Sequence, residues 1–68
     1  METSARNQLR GTVKAVSIGA VMAEVIVDVN GIDVVAAITK DSAERLGLAA
    51  GNSVIAIVKA TDVMIGID

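Results

Sequence analysis

Between Val21 and Thr39 the chain places an apolar residue at every second position on both sides of Asn30-Gly31. The odd positions of the first arm are Val21, Ala23, Val25, Val27 and Val29; the even ones are Met22, Glu24, Ile26 and Asp28. A period of two puts successive side chains on opposite faces of a strand, so this arm has one wholly apolar face. Asn-Gly supplies the two positive-φ residues that a type I′ turn requires. The return arm carries Ile32, Val34, Ala36 and Ile38 on one face and Asp33, Val35, Ala37 and Thr39 on the other. A β-hairpin is therefore predicted, and the rest of the chain must pack on it.

The flanking segments read as more of the same. Leu9 to Ser17 is strand-like until Ile18-Gly19-Ala20 interrupts it. Asp41 with Glu44 three residues on has capping-box spacing, which predicts a short helix over Ser42 to Leu46 closed by Gly47. Leu46 and Leu48 would reach into the core. After a turn at Ala49 to Asn52, Val54, Ala56 and Val58 alternate with Ile55, Ile57 and Lys59. Beyond Ala60-Thr61-Asp62 a last strand would carry Val63, Ile65 and Ile67 on one face, with Met64 and Gly66 on the other. Five strands with a helix between the third and fourth is the order of an OB-type barrel, so the expectation is an all-β domain over residues 1–68.

Size and composition add that such a barrel should not stand alone. At 68 residues the chain is near the lower edge of independent folding, and it has no Cys or His. Disulfides and thiolate or imidazole metal sites are thus excluded, and oligomerisation is the remaining staple. Apolar residues make up 53% and charged ones 21%, and two strands are apolar on both faces. Those second faces need cover, and no proline or lysine run blunts the edges. Association through strand edges and apolar faces is expected.

Several function classes are argued against. Six Lys and Arg are scattered in a chain of net charge −2 with no aromatic residue, which provides neither a basic stripe nor a stacking surface for nucleic acid. The longest uncharged stretch, Leu46 to Val58, falls short of the ~20 residues of a membrane helix. The polar, acidic start Met1-Glu2-Thr3-Ser4 is unlike a signal peptide, so a cytoplasmic location is expected. Without Cys or His the commonest nucleophile and general base are missing. Asp28 and Asp33, two carboxylates beside the hairpin turn, read as solvated charges rather than an acid–base pair, and Met22 and Met64 read as packing. No phosphate-loop pattern occurs. The chain is not expected to be an enzyme.

Three polar features remain. Ser4-Ala5-Arg6-Asn7-Gln8 precedes the first strand, Lys59-Ala60-Thr61 ends an apolar one, and Thr39-Lys40-Asp41-Ser42 opens the helix. On composition alone these read as a solvated tail, a solvated strand end and a helix cap. Taken in order with Leu9, Ala36-Ala37-Ile38-Thr39, Leu46-Gly47-Leu48 and Val58 through Val63, they resemble the molbindin (Mop) family. Its members are small cytoplasmic molybdate-binding proteins with a TOBE-type OB-like domain. The similarity runs over essentially the whole chain, which corresponds to a single module rather than a tandem pair.

That resemblance implies a hexamer, a trimer of dimers, with oxyanions at subunit interfaces. It assigns Ser4 and Arg6 from one subunit, and Lys59 and Ala60 from its neighbour, to molybdate. Thr61 adds a hydroxyl; Ala5 and Asn7 belong to the same opening, and the Gly19-Ala20-Val21 loop lends a backbone donor. A second class of site would draw on Lys40 and Ser42. Where some relatives have Ser at position 60, this chain has Ala, leaving only its backbone N–H. The residue types suit the chemistry: molybdate is a tetrahedral dianion that only accepts hydrogen bonds, so its site needs N–H groups, hydroxyls and cations, and no carboxylate. Tungstate is the second candidate anion. The expected function is binding and storage of the oxyanion by a homo-oligomer, and the alternative is a non-storing oligomeric module docking on a molybdate transporter or regulator.

Overall fold

The computed structural model describes all 68 residues. Its elements are β1 (Asn7–Ile18), β2 (Met22–Val29), β3 (Ile32–Thr39), α1 (Lys40–Arg45), β4 (Ser53–Val58) and a 3₁₀ turn at Ala60–Asp62. All four strands form one antiparallel sheet in the order β3-β2-β1-β4. The predicted hairpin is present in unbroken register from Met22↔Thr39 to Val29↔Ile32. Asn30 (φ 51°) and Gly31 (φ 86°) are both left-handed, as a type I′ turn needs, and the Gly31 N–H donates to Asp28 Oδ1 at 3.0 Å.

β1 organises the sheet because it serves two partners. Asn7 to Thr12 pair with β4, and Thr12 to Ile18 pair with β2. The hand-over falls beside Gly11, where β2 crosses so closely that a Cβ would run into the Asp28 carbonyl oxygen and lie 2.8 Å from Val27 Cγ1. Glycine is needed there for space. One residue beyond the hand-over, a bulge between Val13 and Ala15 leaves Lys14 unpaired. Lys14 Nζ reaches across β2 to Asp33, 3.1 Å from each carboxylate oxygen. It thereby offsets the repulsion between Asp28 and Asp33, which sit directly opposite each other. Read from sequence as solvated charges, the two acids are exposed but engaged: Asp33 holds Lys14 and Asp28 holds the turn.

Val13, Val25 and Val27 form the core, with Val16, Val29, Val34, Ala36, Ile38, Leu48 and Val54 packed around it. Only five residues of 68 are buried, so one copy of the chain does not enclose a full barrel interior. No helix is long and apolar enough to cross a membrane.

Three local expectations are corrected. The helix cap is Thr39, not Asp41: Thr39 is extended (φ −69°, ψ 150°) and its Oγ1 accepts from the Ser42 N–H at 3.1 Å. The strand runs to Thr39 in register, so the first extended hydroxyl ahead of the helix takes the cap, and Asp41 falls into the first turn. At the other end Gly47 closes the helix in the left-handed region (φ 63°), as predicted. The bonds Gly47 N–H to Glu44 O and Leu48 N–H to Ala43 O form a Schellman motif. That motif folds Leu48 onto the core beside buried Ala43 and leaves Leu46 64% exposed, so only one of the two leucines points inward.

The third correction is the strand count. Val63 to Ile67 is not a strand: beyond the 3₁₀ turn this segment pairs with neither outer strand of the sheet, β3 or β4. Its apolar side chains are left in water, Ile65 at 88% and Ile67 at 96% exposure. The order of an OB-type barrel is thus present through β4, and the fifth strand of the expected closure is absent from the sheet.

Candidate functional site

The β1–β4 ladder ends at the pair Asn7↔Val58, one residue short of Arg6 on one strand and of Lys59 on the other. Opposed residues in an antiparallel pair lie about 5 Å apart at Cα. The ladder therefore brings together two cations separated by most of the sequence. Around them is a cleft of about 450 Å³ lined by Ser4, Ala5, Arg6, Ile57, Lys59, Ala60 and Thr61.

Each side of the cleft has a local reason for its shape. On the β1 side, Thr3 Oγ1 accepts from the Ala5 N–H at 3.2 Å and Gln8 Nε2 donates to the Ala5 carbonyl at 2.9 Å. These bonds turn the Ser4–Arg6 segment just ahead of the strand. On the β4 side, Lys59 caps the 3₁₀ turn in extended conformation (φ −64°, ψ 131°). The turn's own bonds run from Asp62 N–H to Lys59 O and from Val63 N–H to Ala60 O. The Ala60 and Thr61 amides are thus left outside it, as the first N–H groups of any helical turn are.

The electrostatics are one-sided. No carboxylate lines the cleft, and neither Arg6 nor Lys59 is in an ion pair; the two ion pairs of the chain are Lys14–Asp33 and Lys40–Glu44. The Arg6 N–H and the Ser4 and Thr61 hydroxyls make no hydrogen bond within the chain. This is a donor-rich, acceptor-poor hollow in an acidic chain, the composition a small anion requires. No group of three acidic, His or Cys side chains is placed to hold a metal cation.

The structure brings Ser4, Ala5, Arg6, Lys59, Ala60 and Thr61 of one chain to one place. Asn7 is the first residue of β1, half-buried beside the cleft but not lining it. Ala20 and Val21 are exposed in the turn at the far end of β1. Eleven steps of roughly 3.3 Å separate Asn7 from Ile18, in a molecule 36 Å long. That loop cannot serve the same cleft in the same copy. Lys40 and Ser42 lie near the loop, since the Lys40 N–H donates to the Val21 carbonyl at 2.8 Å. Their polar groups are locally engaged: Lys40 Nζ is 3.8 Å from Glu44, and the Ser42 hydroxyl accepts from Thr39 Oγ1 at 2.8 Å. Ile57 is a lining residue the sequence reading missed. Its signal was strand alternation, because Ile57 and Lys59 are two apart and share a face of β4.

Comparison with known proteins places this architecture. The family model of the TOBE domain matches residues 3–65. Over 66 residues the chain is 50% identical to molybdenum-pterin-binding protein 3 of Clostridium pasteurianum, covering 96% of this chain and 97% of that protein. A molybdate-binding protein from Sporomusa ovata has the same fold with a TM-score of 0.93 at 45% identity, over 98% of this chain and all of that one. The cytoplasmic molybdate-binding protein ModG, solved with molybdate bound, superposes with a TM-score of 0.84 at 49% identity, over 88% of this chain and 43% of ModG. With the domain matched almost end to end and half the residues shared with a relative of the same length, the chain belongs to the TOBE domain family, in its small molbindin (Mop) form.

Proposed function

We propose that this protein binds molybdate in the cleft between Ser4–Arg6 and Lys59–Thr61 and holds it in the cytoplasm as a molybdenum store. The observation that carries the reading is the pair Arg6 and Lys59, free of carboxylates and set among unspent donors. Arg6 offers a planar fork that can bond two oxygens of a tetrahedral anion, and Lys59 a compact point charge. Ser4 and Thr61 add hydroxyls, and Ala60 its amide. Ile57 walls the cleft with hydrocarbon, which keeps water from competing for the same oxygens. Tungstate has the same shape and charge and is the second candidate. The role is binding; no group in the cleft is suited to breaking a bond.

The proposed working form is a homo-oligomer, a hexamer built as a trimer of dimers. Support comes from surface: the chain exposes 5347 Å², whereas a compact monomer of this mass exposes roughly 4,000 Å². The excess exceeds the ~800 Å² per partner of a standard interface. It includes a wholly apolar groove running from Val34, Ala36 and Ile38 to Leu48, Val54 and Val58, and the bare tail from Val63 to Ile67. In such an assembly Ala20 and Val21 reach a cleft from a neighbouring copy. A second anion at Lys40 and Ser42 would have to displace their bonds to Glu44 and Thr39, so the Arg6–Lys59 cleft fills first.

Native mass spectrometry of the purified protein, titrated with molybdate and then sulfate, tests both parts. A hexamer taking up molybdate and refusing sulfate is expected. An oligomer indifferent to molybdate would leave the docking module, to which the exposed tail is suited, as the better reading.

A further inference from the structure

We infer that Gln8 is the positioning residue of the anion cleft, acting through the Ala5–Arg6 peptide unit without itself lining the cleft. The inference rests on the reading of the cleft as an oxyanion site. Gln8 Nε2 donates to the Ala5 carbonyl at 2.9 Å, while Ala5, not Gln8, is among the lining residues. Two consequences follow from the geometry of one amide. A carbonyl oxygen facing a dianion would repel it, and Gln8 holds that oxygen in a hydrogen bond. A trans peptide is planar, so its N–H points opposite to its C=O. Fixing the Ala5 carbonyl on Gln8 therefore fixes the direction of the Arg6 N–H, a donor with no partner in the chain. The same bond sets where the Arg6 side chain leaves the backbone.

Gln8 can do this because it is itself anchored. It lies within the ladder, opposite Ile57, whose side chain is part of the cleft wall. Thr3 acts from the other side, with its Oγ1 on the Ala5 N–H at 3.2 Å. Both backbone groups of Ala5 are thus held by side chains, and the more firmly rooted of the two belongs to the sheet.

The test compares the full-length chain with Gln8→Met, which keeps length and volume and removes the donor. Two measurements are made on each. Backbone ¹⁵N order parameters at Ala5 and Arg6 without any anion read the order of the arm, and calorimetric titration with sodium molybdate reads binding. Gln8→Met is expected to lower the order parameters at these amides, to leave those of the strand amides from Leu9 to Val13 unchanged, and to weaken molybdate binding roughly 5- to 20-fold. In the Arg6→Ala background the same substitution should still weaken binding, but by less than in the parent, since the position-6 N–H and the Ala5 carbonyl remain to be held while the side chain is gone. Weakened binding with the order at Ala5 and Arg6 unchanged would make Gln8 a direct contact and overturn the inference. So would unchanged affinity in Gln8→Met while the parent chain binds. If the parent takes up no molybdate yet Gln8→Met loosens the arm, it is the oxyanion reading that fails, and the pinning of Ala5 stands apart from it.

Discussion

Asn7 of β1 and Val58 of β4 form the last rung of their ladder, and each is followed outward by a cation, Arg6 on one strand and Lys59 on the other. The rung fixes both at the level of the backbone, so neither depends on the other's side chain for its place. A cleft built this way separates binding from folding: the charges can be removed one at a time without opening the sheet.

Arg6→Ala and Lys59→Ala should therefore each weaken molybdate binding by about one to two orders of magnitude, the worth of a charge-assisted hydrogen bond. The thermal midpoint should stay within about 2 °C, because both side chains are exposed and unpaired. Calorimetric titration beside a melting curve checks both statements. Full affinity in either variant would remove that residue from the site.

Gly11→Ala should destabilise the protein by about 1–3 kcal/mol, the usual range for overpacking. The added methyl has no flexible neighbour to displace; it meets the backbone carbonyl of Asp28. Urea unfolding monitored by far-ultraviolet circular dichroism would show the shift. Gly31→Ala is the useful contrast, since open space surrounds that position and only the positive φ is strained.

Thr39→Ala should cost about 1 kcal/mol, the typical loss for an N-cap side chain. Asp41→Ala should cost only a few tenths, the share of a first-turn charge at a helix start. Equal losses in the two variants would return the cap to Asp41. Chemical denaturation of the pair in parallel decides it.

Removal of residues 63–68 should lower the oligomeric state while leaving the four-stranded sheet folded. The tail makes no strand pairing within its own chain, and Met64, Ile65 and Ile67 are almost fully exposed. Sedimentation velocity at several concentrations reads the assembly, and circular dichroism reads the sheet. An unchanged oligomer would show that the tail plays no part in association.

The hairpin was legible in the sequence to within one residue, because period-two alternation and Asn30-Gly31 are both local signals. So was the glycine closure of the helix. What failed needed knowledge of partners. Val63 to Ile67 alternates as a strand should, yet alternation cannot say whether an edge waits for it in the same chain. Thr39 and Asp41 both cap helices, and only the register of β3 decides which stands at the boundary. The cleft was legible as two separate polar segments through a family resemblance. Their adjacency in one copy was not, since a ladder between residues fifty positions apart leaves no local trace.

That separation has a temporal side. The β2–β3 hairpin can form from neighbouring residues, whereas β1 meets β4 only when a long loop has closed, at a larger cost in chain entropy. During synthesis Ser4, Ala5 and Arg6 emerge first and have no counterpart until Lys59 has been added. The cleft is thus complete only when the longest-range ladder of the sheet has closed. An anion held there stabilises the completed fold over every state in which that ladder is open, so its occupancy reports that the ladder has closed.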